Sequence, residues 1–147
     1  MKKTILLVLL SAFAVSCNNQ NKADETNTAK DTVSSDFKMY EMSEMAALME
    51  QMYAYNTQLK ERIVNNQDLG VYPMAFDKIH TATLTESADR DVFFNEQAAL
   101  FIEAQKAIYA DTVSAKENFN KMVNQCLECH AKKCGGPIPR IKKLYIP

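Results

Sequence analysis

From Ser43 to about Asn66 the apolar side chains fall at Met45, Leu48, Met49, Met52, Tyr55, Leu59 and Ile63. Steps of three and four put them on one stripe of a helix, whereas a half-buried strand would alternate at every second residue. The same period returns twice. Phe94, Ala98, Phe101, Ala104 and Ile108 share a face over about 91–109, and Phe119, Met122, Val123, Cys126 and Cys129 share one over about 114–134. No run alternates in strand fashion, and three glycines in the whole chain leave few breaks. Segments of this kind bury their apolar stripes by packing helix on helix, so the expected fold class is all-α.

Punctuation between the periodic stretches yields four expected helices. The first breaks at Asn65-Asn66-Gln67-Asp68-Leu69-Gly70. Pro73 suits the first position of a shorter second helix reaching about Ala82, because its missing N–H is an orphan there in any case. Thr83 to Asp89, rich in capping residues, reads as a loop. Ser114-Ala115-Lys116-Glu117 has the form of a capping box opening the fourth helix. Gly135-Gly136-Pro137 ends that helix.

The fourth helix carries Cys126-Leu127-Glu128-Cys129-His130, a CxxCH motif. Two thiols about one turn apart can add to the two vinyl groups of one porphyrin, and the histidine that follows is placed as proximal iron ligand. Two other chemistries use the same residues. A redox dithiol wants a βαβ context, which this chain lacks. A zinc site would draw on Cys126, Cys129, His130 and Cys134, with His80 the one remote histidine; zinc sites more often take ligand pairs from separated segments.

The N-terminus bears on compartment. Lys2 and Lys3 precede an apolar run from Ile5 to Val15, about half the roughly 20 residues a permanent membrane helix needs. Small residues then lead to Cys17, the pattern of a secretory leader over 1–16. Ala14-Val15-Ser16-Cys17 resembles a bacterial lipobox, which makes Cys17 the expected acylation site of an exported protein anchored by lipid and facing the periplasm. Residues 17–35 are too polar to offset chain entropy by burial and read as a tether, leaving 36–147 for the folded part. Four cysteines in an exported chain suggest two disulfides. Lipid on Cys17 and haem on Cys126 and Cys129 would leave Cys134 alone, as a buried small residue or a free thiol.

The formal charge of −1 lacks the basic footprint that nucleic-acid binding requires. Lys132, Lys133, Arg140, Lys142 and Lys143 make the C-terminus locally basic, suited to haem propionates, to an acidic partner, or to plain solvation. No nucleophile–base pair or carboxylate couple points to catalysis.

Four helices with CxxCH near the end of the last resemble the cytochrome c prime family, the class II c-type cytochromes, over roughly residues 43–134. The resemblance implies an antiparallel four-helix bundle with one covalently bound haem c near the end of helix four. It assigns Cys126 and Cys129 to the thioethers and His130 to the proximal position. The sixth ligand of such proteins, where present, comes from the first helix. Met52 matches the family's register counted from the helix end, with Met49, then Met45, as alternatives and His80 behind them; Leu48 stands where an arginine is common. With methionine ligation the implied function is single-electron transfer in the cell envelope, with a redox partner protein and a possible homodimer. An open sixth site would instead bind or sense NO or CO. A third possibility, a non-haem lipoprotein holding zinc, follows from the cysteine cluster alone.

Overall fold

The computed structural model describes residues 41–147. The expected leader, Cys17 and the tether lie outside these residues. The described elements are all helical, and no strand occurs among the described residues. None of these helices is long and apolar enough to cross a membrane.

Helix α1 spans Glu44–Val64 and starts where expected, with Ser43 Oγ accepting from the Ala46 N–H at 3.2 Å. Glu44, acidic in the first turn, complements the helix dipole. Its Oε2 also accepts from the Thr83 N–H and hydroxyl, both at 2.9 Å, which pins the following loop to the helix start. At the other end Asn66 (φ 52) and Gly70 (φ 75) take left-handed conformations, where asparagine is tolerated and glycine is free of steric cost. The buried stripe is Met45, Leu48, Met52, Asn56 and Leu59.

The second expected helix is a 3-10 helix, Met74–His80, with Pro73 as its N-cap rather than its first residue. Its two buried residues, Phe76 and Ile79, are three apart. That spacing aligns side chains in a helix of three residues per turn, so a tighter winding buries both. The loop after it includes one further 3-10 turn, Ser87–Asp89.

Helix α2 spans Val92–Ala110, capped by Asp91, whose Oδ1 accepts from the Phe94 N–H at 2.8 Å. Helix α3, Ala115–Lys133, begins differently from the expected capping box. Ser114 makes no side-chain cap; Asp111 Oδ1 instead accepts from the N–H groups of Val113 and Ser114, both at 3.2 Å. Glu117, free of the box, pairs with Lys121 one turn on at 2.9 Å. An aspartate turn of this sort satisfies the entering backbone as a serine cap would.

Helix α3 stops at Lys133, with Cys134 as its C-cap. After Gly135-Gly136 the chain turns back through a short helix α4, Ile138–Ile141, and a 3-10 turn, Lys142–Leu144. Ile141, Leu144 and Ile146 are buried, so this tail belongs to the core. Helix α2 packs most extensively on α3, while α1 lies against α3 and the Met74–His80 segment. Phe119, Ile108, Met122 and Leu59 form the most deeply buried apolar centre. Full burial of such a side chain contributes roughly 1.5–3 kcal/mol.

Candidate functional site

Residues 126–130 lie in the last turns of α3, so Cys126 and Cys129, three apart, point from the same face. Both cysteines and His130 line a cleft bounded by α1, α2, α3 and the C-terminal tail. Its empty space is about 790 Å³, open mouth included. From α1 come Met49 and Met52; Phe94, Ala98 and Phe101 of α2 form an apolar wall, and Ile141 and Leu144 of the tail close one side.

His130 Nδ1 lies 3.0 Å from the Cys134 carbonyl oxygen. A carbonyl can only accept, so this contact places the proton on Nδ1 and leaves the Nε2 lone pair for a metal. Metal-bound histidines commonly have their other ring nitrogen held by such a carbonyl. The tail end of α3 supplies this partner because the Cys134 N–H itself donates to the His130 carbonyl at 3.1 Å.

Burial among the cleft walls pushes the Cys126 thiol up to about 12, and its Sγ approaches Met122 Sδ at 3.7 Å. Burial also raises the Cys129 thiol, against the attraction of nearby Lys133. Both sulfurs are therefore neutral thiols near pH 7, and no disulfide joins them. Lys133 Nζ reaches Asp91 Oδ2 at 2.7 Å and Asp89 Oδ1 at 3.5 Å, tying the motif's end of α3 to the start of α2. The lysine and the Phe94 N–H together hold the Asp91 carboxyl below its usual range.

The candidate sixth ligands separate by position. Met52 is 5% exposed and lines the cleft; Met49 lines it as well and is half-buried. Met45 is buried elsewhere in the core, away from the lining. His80 is exposed at the end of its 3-10 helix, and its carbonyl takes a hydrogen bond from Arg90 Nη1 at 2.7 Å. Its neighbour Ile79 faces the cleft in its stead. Cys134 is exposed and outside the lining. Among the described residues no three His, Cys, Asp or Glu side chains converge as a zinc site would require.

Several site residues escaped the sequence reading. Gln97 Oε1 and Gln125 Oε1 line the cleft buried and without a hydrogen-bond partner, an arrangement folded proteins seldom leave unexplained. Asn56, also in the lining, accepts from Gln105 Nε2 at 3.0 Å in the interior. Glu50 and Tyr53 stand at one edge beside Arg140, the one of the five C-terminal basic residues that lines the cleft. The tail's share of the cleft has a weak sequence signal: Ile141 and Leu144 continue a step of three beyond the two glycines that end the helical pattern.

The donor set fits a covalently held haem. Two neutral thiols one turn apart, an imidazole with a free Nε2, the Met52 thioether and apolar walls line one cleft. No protein-family model, no curated protein and no solved structure matches this chain.

Proposed function

We propose that this chain is a c-type cytochrome, a helical bundle that holds one haem through Cys126 and Cys129 and carries single electrons. The observation that supports this reading is the meeting of the CxxCH side chains and Met52 in one apolar cleft, from opposite ends of the folded sequence. When bound, haem supplies a one-electron ferric–ferrous couple.

The protein's own part is to hold, orient and exclude. The cysteines offer thiols in the protonated form, placed to become thioethers, and a covalent tether prevents loss of the group. The Cys134 carbonyl orients His130, so the imidazole presents Nε2 in a fixed direction. Met52, from α1, presents a polarizable thioether on an element separate from the motif; thioether ligation raises a reduction potential. Phe94, Ala98 and Phe101 keep water from the cleft floor, which disfavours the more highly charged oxidation state. Two ligands on rigid helices leave little to rearrange between oxidation states.

The test is expression beside a c-type maturation system, followed by a haem stain of the denatured chain and a ferrous spectrum with and without CO. A stained band with a low-spin ferrous spectrum indifferent to CO is expected. A colourless chain overturns the reading. A stained chain that binds CO at once would retain the haem but transfer the function to gas binding.

A further inference from the structure

The haem of the proposed function is a dicarboxylate, and anionic groups are costly beside apolar walls unless a cation meets them. Five basic residues follow the motif: Lys132, Lys133, Arg140, Lys142 and Lys143. Lys133 is committed to Asp91 and Asp89, and Lys132 Nζ sits 4.4 Å from the centroid of the Phe93 ring. Lys142 and Lys143 are exposed and outside the cleft lining. Arg140 is the one lysine or arginine among the described residues that lines the cleft.

We propose that Arg140 is the carboxylate-binding residue of this cleft, exchanging Glu50 for a propionate of the bound tetrapyrrole. The assignment rests on the haem reading and goes beyond it. Arg140 Nη1 contacts Glu50 Oε1 at 2.7 Å, and its Cζ lies 3.9 Å from the centroid of the Tyr53 ring. A guanidinium carries five N–H donors in a plane that matches a carboxylate, and the Glu50 contact uses a single Nη1–Oε1 distance. The two side chains are 45% and 51% exposed, and half-exposed pairs of this kind are weak. A second carboxylate can therefore replace Glu50 at small cost.

The position of Arg140 is set without help from Glu50. Lys60 Nζ donates to the carbonyls of Lys143 and Tyr145, both at 2.8 Å. The Asn120 side chain donates to the Ile146 carbonyl at 2.9 Å and accepts from its N–H at 3.0 Å. With Ile141 and Leu144 buried beneath it, the tail holds the guanidinium at the cleft's edge. Stacking on Tyr53 adds a further constraint.

The test uses the full chain carrying Cys126→Ser and Cys129→Ser, which keeps His130 and removes the covalent attachment. Titration with haem and with haem dimethyl ester, followed at the Soret band, gives a ratio of affinities. The parent should prefer the free acid by roughly three- to tenfold, the scale of one partly exposed charge-assisted contact. Arg140→Gln should bring the ratio to about one, Arg140→Lys should keep part of it, and Glu50→Gln should widen it by removing the competing carboxylate. A ratio unchanged in Arg140→Gln overturns the assignment. So does equal weakening of both ligands in Glu50→Gln, which would make the pair a latch on the tail. The haem reading itself falls only if the unsubstituted chain stays colourless beside a maturation system.

Discussion

Replacing Met52 by leucine separates packing from ligation. The side chain is 5% exposed and sits where α1 faces the CxxCH cleft, so truncation and loss of sulfur would be confounded in an alanine variant. Met→Ala at such a site costs about 2–5 kcal/mol, much of the 5–15 kcal/mol that holds a typical domain folded. Met→Leu nearly conserves volume and costs less than about 1.5 kcal/mol. In a domain near 100 residues that is a fall of no more than roughly 10 °C in Tm. The thioether, by contrast, is lost entirely. In the proposed haem-bound chain, Met52→Leu should thus stay folded, change the ferrous spectrum to high-spin, and bind CO that the parent should not. Its reduction potential should drop, since a ligand favouring the reduced state is gone. Urea denaturation and CO titration on the same holoprotein read both effects. Met45→Leu, in the core but away from the lining, is the control and should leave the spectrum alone. A Met52→Leu spectrum identical to the parent's would refute the ligand assignment and direct the same experiment to Met49.

Asn56→Leu should cost about 2 kcal/mol, because it strands the fully buried Gln105 amide, and adding Gln105→Leu should recover most of that loss; a double variant no more resistant to urea than the single one would contradict the pairing. Asp91 has a folded pKa below its unfolded value, so its contribution is complete above the usual carboxylate range of about 4 and is lost as pH falls through the folded value. Stability curves of the parent and Asp91→Asn, whose amide oxygen can still cap α2, should therefore converge as pH falls below about 4; parallel curves would contradict the ion pair with Lys133. In chain that has not acquired haem, iodoacetamide should modify exposed Cys134 first and half-buried Cys126, whose thiol is raised furthest, last, as peptide mapping would show. Equal rates at the two would contradict the raised Cys126 thiol.

Long-period helical segments were readable because their apolar stripes repeat every three or four residues. Ser43 and Asp91, both strong capping types, marked the starts of α1 and α2 within a residue. Where two local solutions compete, the sequence was ambiguous. Phe76 and Ile79 suit either winding, and packing chose the 3-10 form. At the entry to α3 the capping-box residues were present, but Asp111 satisfied the backbone first. The motif's placement on the last long helix was legible from spacing alone. Which methionine would face it was not, since Met45, Met49 and Met52 share one stripe and only the position of the cleft distinguishes them. The buried Asn56–Gln105 pair and the folded tail depend on contacts between distant segments, for which no local period exists.

The account stands on covalent attachment at Cys126 and Cys129, and mass mapping of the mature chain from a host with competent maturation machinery tests it most directly. One haem mass on the peptide spanning 126–130, with neither thiol open to alkylation and Cys134 still reactive, is the predicted result. Two alkylated thiols at 126 and 129, on a peptide of unmodified mass, would contradict it.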